Sequence, residues 1–310
     1  MKKLVIGVDI GGINTVLGLV DRTGEVYARS SFRTAEYPFF DDYSAYVEML
    51  VRTLRELCAA MPAGAVLSGI GIGAPNANYH TGRIERPVNL WKFRSGEPNP
   101  EEGRRFFSLC KEVGNSFPGI PVRITNDANA AALGEIAYGN AGGMRDFIMV
   151  TLGTGLGSGF VAGGRMIYGH DGMAGELGHV VVEPGGRQCG CGRRGCLETY
   201  CSANALEQAA DMPAKEFFPL LREKKSPQII QIWKDYLNHL AFAMKNLNLI
   251  IDAPIIISGY LAPYFTEEDI EYLAEHLHTA APFILDKTRI LVGTNGQYTP
   301  AIGAALHYVE

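Results

Sequence analysis

Residues Phe147–Ala162, FIMVTLGTGLGSGFVA, read as a buried strand, a glycine turn and a second strand, with Gly163-Gly164 turning the chain again. Backbone N–H groups at Gly153, Thr154, Gly155 and Gly157 are suited to cradle phosphate, and the Thr154 hydroxyl adds a donor. The glycine spacing alone also suggests a dinucleotide site. There, however, the glycines open a helix, whereas FVAGG continues as a strand and no acid-bearing second strand follows at the usual distance. The same plan stands at the start of the chain. KLVIGVDI, ending at Ile10, is a buried strand; Gly11 and Gly12 turn it into TVLGLVD, and Thr23-Gly24 turns that into EVYARSSF. Asp9 at the strand end can orient a hydrated Mg2+, while Gly11, Gly12 and Asn14 present donors to an anion; the alternative is an ordinary hairpin whose acid faces solvent. Two such hairpins, each in the same place in its half of the chain, indicate an internal duplication, as in two related α/β lobes that face each other across a cleft.

With 310 residues, 47% of them hydrophobic, the chain can bury a large core and is expected to form two domains. A formal charge of -5 offers no broad basic surface for nucleic acid or an anionic membrane. Any phosphate must therefore meet local donors or a divalent cation. Asp9 interrupts the first apolar run too early for a signal peptide, and no apolar stretch of about 18 residues occurs, so a soluble, cytoplasmic protein is expected. Cys58 and Cys110 sit alone in helical patterns while the other cysteines cluster, which suits a reducing compartment and one metal site rather than a disulfide framework.

Residues 42–61 and 99–117 repeat apolar positions at helical spacing. Between them VLSGIGIGAP, from Val66 to Pro75, is a buried strand, and the loop from Asn76 to Arg94 beyond it holds Asn89. PVRITNDANAAALGEIAYG is strand, turn and helix, which puts Asp127 at a strand mouth near a helix N-terminus, with Asn126 and Asn129 around it. Two readings of Asp127 stand: a helix N-cap, or a carboxylate base that accepts a hydroxyl proton. From Ser202 to Asp252 the chain is helical, and the apolar stripe of IIQIWKDYLNHLAFAMKNLNLIID is core packing. PIIISG, ending at Gly259, is a further strand and turn, followed by a helix over 266–281, a strand over 289–293 and a closing helix, PAIGAALHY.

The stretch Asp171–Glu198, DGMAGELGHVVVEPGGRQCGCGRRGCLE, gathers chemistry-bearing side chains. Cys189, Cys191 and Cys196 with His179 make the Cys3His set of a closed tetrahedral structural zinc site. Four protein ligands leave no open position for a catalytic water, so the metal is expected to hold a loop in shape. Glu176 and Glu198 flank that loop and can accept hydrogen bonds from several hydroxyl groups of a ligand, or serve as surface ion-pair partners. Cys201 lies outside the spacing and reads as a small buried hydrophobe.

The run AGELGH followed by CGCGRRGCLE resembles the signature of the ROK family, which takes in bacterial sugar kinases, their relatives and sugar-responsive repressors. With NDAN and the glycine loops, the resemblance extends from Gly7 to Gly303. It implies an α/β, two-lobed actin-like/hexokinase (ribonuclease H-like) ATPase fold with a cleft between the lobes. The expected division is a small lobe of residues 1–123 with 298–310 and a large lobe of 124–297 carrying the zinc loop. The resemblance further implies that Asp127 is the catalytic base and that Gly73, Asn89, Asn126, Glu176, His179 and Glu198 contact the sugar beside it. Ser258 and Gly259 are implied adenine contacts. The chain departs from the family pattern in two places. Ile13-Asn14 replaces the usual Thr-Lys or Thr-Asn after the first Gly-Gly, so Asn14, Thr15 or backbone groups alone must serve; Tyr260-Leu261 replaces further glycines.

The function implied is ATP- and Mg2+-dependent phosphorylation of a hexose at its C6 hydroxyl, with glucose favoured and Zn2+ structural. N-acetylmannosamine, N-acetylglucosamine, allose and fructose are the alternative sugars. ATP and Mg2+ are expected between the two hairpins, with Asp127 taking the proton as the hydroxyl attacks the terminal phosphate. A sugar-sensing transcriptional regulator without activity is the alternative class; such members carry a helix-turn-helix before the first strand, which here is expected from Lys2. The expected partners are the sugar and ATP, with no nucleic acid or membrane, and a homodimer or homotetramer is usual in the family.

Overall fold

The computed structural model of the chain describes residues 1–37, 39–85, 106–277, 289–293 and 299–306. The chain divides into two compact units: Met1–Gly142 with Tyr168–Ala174 and Gly296–Glu310, and Gly143–Ile167 with Gly175–Asn295.

In the first unit, β1 (Lys2–Ile10), β2 (Thr15–Val20) and β3 (Val26–Phe32) form an antiparallel meander. Strands β4 (Ala65–Ala74) and β8 (Val122–Asn126) add in parallel on the other side of β1, giving the order β3-β2-β1-β4-β8. Leu4, Ile6, Val8, Ile70 and Ile72 are fully buried, which is why the two central strands read as near-continuous apolar runs. Helix α1 (Phe39–Ala59) joins the same core through Tyr46, Leu50, Leu54 and Leu57, spaced three and four apart. Helix α9 (Thr299–Leu306) packs on β1, β4 and helix α3 (Asp127–Tyr138). At Gly7 and Gly71 a Cβ would overlap the carbonyl oxygens of Ala301 and Ala304, so glycine there lets α9 lie directly on the sheet.

A small ribbon of β5 (Ala77–Asn78), β6 (Arg83–Glu85) and β7 (Phe106–Phe107) precedes helix α2 (Leu109–Ser116). The helix expected over 99–117 is therefore shorter. Phe107 pairs with Ile84 and packs its ring 4.5 Å from that of Tyr43, which takes it into a strand; residues 99–105 lie outside the described residues.

The second unit repeats the plan. Strands β9 (Phe147–Leu152), β10 (Leu156–Ala162) and β11 (Arg165–Met166) form an antiparallel meander, and β12 (Ile255–Ser258) and β13 (Ile290–Val292) add in parallel beside β9. The order is β11-β10-β9-β12-β13, so the two sheets share both strand order and strand sense. Helices α4 (Glu198–Cys201), α5 (Ala203–Ala210), α6 (Ala214–Glu223), α7 (Pro227–Ile250) and α8 (Glu267–Leu277) belong to this unit. The apolar stripe of α7 is core, as its spacing predicts: Trp233, Leu237, Leu240, Met244 and Leu247 are buried, and Trp233 Nε1 donates to Asp269 Oδ1 at 2.7 Å. Among the described residues no helix is long and apolar enough to cross a membrane.

Candidate active site

In the first unit the register of the sheet aligns the polar residues. Asp9, the penultimate residue of β1, pairs with Gly73 of β4, and Gly73 pairs with Thr125 of β8, directly before Asn126 and Asp127. Asn126 is the N-cap of α3: its Oδ1 accepts the Ala128 N–H at 2.8 Å. Asp127 is the first helical residue, and its Oδ1 accepts the same N–H at 2.8 Å. The cap is thus Asn126, and the carboxylate of Asp127 shares that donor. Burial pushes the Asp127 carboxyl above its ordinary range, against a smaller opposing pull from the backbone N–H groups of Ala128 and Asp127. Burial first, and then the charge of Asp127, push Asp9 up to about 7. Two carboxylates therefore share one poorly solvated neighbourhood, which suits a proton acceptor and a hydrated divalent cation. Asn89 lies outside the described residues.

The turn between β1 and β2 closes by a hydrogen bond from the Gly11 N–H to the Asn14 carbonyl at 3.0 Å. Ile13 is 57% exposed and Asn14 is exposed beside it. Thr15 cannot supply the missing hydroxyl to a phosphate. It is fully buried, with its Oγ1 2.8 Å from Thr34 Oγ1 and 3.0 Å from Tyr46 Oη, so its hydroxyl is committed to the core. That leaves the Asn14 side chain and the backbone as donors at this turn.

In the second unit the β9–β10 turn is Gly153–Gly155, closed by the Gly153 N–H to the Gly155 carbonyl at 3.0 Å. Thr154 is exposed at its apex, and Gly157 falls inside β10 opposite Thr151. Both flanks are held. Gly153 O accepts the Ala203 N–H at 2.7 Å, and Glu198 Oε2 accepts the Leu156 N–H at 2.9 Å. Ser258 pairs with Thr151 at the end of β12, and Gly259 follows at φ 89°, a left-handed turn that glycine adopts without strain. Of the two residues that depart from the family pattern here, Leu261 is fully buried in the core and Tyr260 is exposed.

The cysteine-rich loop brings its four predicted ligands together. Ligand atoms of His179, Cys189, Cys191 and Cys196 all lie within 4.8 Å of one another. Cys189 Sγ is 3.6 Å from His179 Nδ1, and Cys191 Sγ is 3.6 Å from Cys196 Sγ. Sulfur atoms around a tetrahedral zinc stand about 3.8 Å apart, given bonds of about 2.3 Å, so the set fits such an ion. The loop is folded by its own backbone: Cys189 N–H donates to the Arg193 carbonyl at 2.9 Å and Gly192 N–H to the Cys189 carbonyl at 3.0 Å. The backbone N–H of Arg193 is the largest influence drawing the Cys191 thiol down to about 6, whereas burial pushes Cys196 up to about 12. A bound cation is what would hold all three sulfurs as thiolates. Glu176 is exposed just before the short 3-10 turn Leu177–His179. Cys201 stays apart, fully buried with its thiol toward the Tyr236 carbonyl.

Three features escape a reading of the sequence: the commitment of Thr15, the tie from Glu198 to the β9–β10 turn, and the place of Thr151 in the second sheet, where Asp9 stands in the first. The partners in the first two are 19, 31 and 42 residues apart, and no local pattern marks them.

Comparison with known proteins supports the architecture. The chain is 36% identical over 211 residues to a glucokinase of Streptomyces coelicolor, an alignment that takes in 68% of this chain and 60% of that protein. The chain thus spans about 60% of the length of that relative. Among solved structures, a ROK hexokinase from Thermus thermophilus superposes with a TM-score of 0.79 at 28% identity, covering 98% of this chain and 97% of that one. A ROK family glucokinase from Streptomyces griseus, solved in complex with glucose and AMPPNP, gives 0.74 at 26% identity over 97% and 98% of the two chains. The fold is therefore the actin-like/hexokinase α/β fold of those neighbours. The family's sequence profile matches residues 5–308, and the chain belongs to the ROK family.

Proposed function

We propose that the protein is an ATP-dependent sugar kinase that phosphorylates a hexose at its C6 hydroxyl, with glucose the favoured substrate. The observation that carries this reading is Asp127: a carboxylate with a raised pKa at the first position of α3, with Asn126 capping the helix beside it. A raised pKa brings a carboxylate closer to the working pH and makes it a better proton acceptor. In the proposed reaction the hydroxyl oxygen forms a bond to the terminal phosphorus, the bond from that phosphorus to the bridging oxygen breaks, ADP leaves, and the hydroxyl proton passes to Asp127. Mg2+ bound with the nucleotide would offset phosphate charge, and Asp9 would hold its hydration shell.

Gly73 and Asn126 are the proposed sugar contacts in the first unit; Glu176, His179 and Glu198 are those in the second. The Gly11–Asn14 turn and the Gly153–Gly155 turn, with Gly157, Ser258 and Gly259, are the proposed nucleotide side. His179, Cys189, Cys191 and Cys196 would hold a structural zinc, whose role is to keep the loop that carries Glu176 and Glu198 in shape. The similarity to glucokinases supports glucose over the alternative sugars. A coupled ADP-release assay over glucose, mannose, fructose, allose, N-acetylglucosamine and N-acetylmannosamine tests the reading, with zinc measured on the same preparation. Glucose should give the highest kcat/KM; absence of turnover with every sugar would refute the kinase assignment.

A further inference from the structure

We propose that Glu198 is a positioning residue for the nucleotide, tying the β9–β10 turn to the metal-binding loop. The inference rests on the kinase reading for the role of that turn. Glu198 Oε2 accepts the Leu156 N–H at 2.9 Å, across 42 residues of sequence. At Gly155 a Cβ would overlap the same Oε2, so the glycine is what leaves room for the carboxylate. Glu198 opens α4 two residues after the metal ligand Cys196, and the intervening Leu197 is fully buried with its N–H on the Val180 carbonyl at 2.9 Å. The approach of the carboxylate is therefore set by the backbone of the metal loop.

The other flank of the turn is held separately, by the Ala203 N–H on the Gly153 carbonyl at 2.7 Å. With both flanks fixed, the exposed apex at Thr154 is presented in one arrangement, and ordering it costs less when phosphate binds. A carboxylate has two oxygens, so a sugar contact through Oε1 is compatible with this tie. What changes is the expected consequence of losing the side chain: nucleotide affinity falls, and not sugar affinity alone.

The test is calorimetric titration of the metal-loaded full chain with Mg2+ and adenylyl imidodiphosphate, and separately with glucose, for wild type, Glu198→Ala, Glu198→Gln and Gly155→Ala. Glu198→Ala and Gly155→Ala should each weaken nucleotide binding about tenfold, the loss expected for a charge-assisted hydrogen bond. Glu198→Gln keeps an acceptor oxygen and should stay within about threefold of wild type. Adding Gly155→Ala to Glu198→Ala should cost nothing more in nucleotide affinity, because no carboxylate remains to be displaced. Unchanged nucleotide affinity in both alanine variants would overturn the proposal. If Glu198→Ala fails to fold, Gly155→Ala alone decides it in the same way. A wild-type chain that binds glucose but no nucleotide would instead overturn the kinase reading and remove the basis for this role.

Discussion

The two five-stranded sheets have the same strand order and the same strand sense, yet the equivalent positions carry different chemistry. Asp9 is the penultimate residue of β1 and pairs with Gly73; Thr151 is the penultimate residue of β9 and pairs with Ser258. The first sheet therefore ends in a row that leads to Asp127, with two carboxylates whose pKa values burial raises. The second ends in hydroxyls and glycines, with a turn held on both flanks and the cysteine-rich loop, a candidate metal site, beyond it. The same scaffold occurs twice, with a carboxylate at the strand end in one copy and a hydroxyl in the other. The turns differ in the same sense. Gly11–Asn14 exposes Ile13, and its Ile13 carbonyl accepts from the Ala35 N–H at 3.3 Å, whereas the Gly153–Gly155 turn is held at 2.7 and 2.9 Å. Under the proposed kinase reading, proton transfer would fall to the first unit and the grip on phosphate mainly to the second.

Outside Asp127 itself, the largest effect is expected from giving the first sheet an uncharged residue where the second has one. Asp9→Asn should lower kcat about ten- to a hundredfold at fixed Mg2+, measured in steady state, the range typical of residues that orient metal-bound water. Its stability should move the other way. A carboxyl raised from 3.8 to about 7 loses folding stability as pH climbs through that window, because the unfolded chain gives up its proton first. The Tm of Asp9→Asn should therefore exceed that of wild type by a margin that grows from about pH 4 to pH 7 and is then constant. An equal margin at pH 4 and pH 8 would show that Asp9 is not perturbed in this way.

The next effect belongs to the second unit. Chelation, or Cys191→Ser, should release the loop that carries Glu176 and Glu198, with glucose affinity falling about tenfold and faster proteolysis near Arg193 and Arg194. Unchanged glucose affinity in metal-free protein would separate the metal from the sugar site. The smallest effect is expected at Asn14, whose side chain is exposed in the less constrained turn. Asn14→Ala should change the KM for ATP by less than about threefold, and a larger rise would make the two turns equal partners.

Much of this arrangement was legible in the sequence because it is written locally. Buried strands such as KLVIGVDI and FIMVTL end at glycines, and a run of apolar residues closed by a turn residue can be read without knowing its neighbours. The candidate metal ligands are legible for the same reason, because three cysteines fall within eight residues. What was not legible depends on partners far along the chain. Thr15 offers a hydroxyl to the first turn by position, but in the fold Thr34 and Tyr46 hold that hydroxyl in the core. Asp127 reads as a cap or a base from its sequence, and only the folded chain shows that Asn126 holds the cap position. Phe106 and Phe107 continued a helical pattern by spacing, but pairing with Glu85 and Ile84 made them a strand.

The central claim is that Asp127 removes the proton from the attacking hydroxyl, and rapid-quench measurement of a single turnover tests it most directly. Asp127→Asn, saturated with glucose, ATP and Mg2+, should transfer phosphate about 10^2 to 10^4 times more slowly than wild type, with affinity for both substrates and zinc content unchanged. Transfer within about threefold of the wild-type rate would contradict the account.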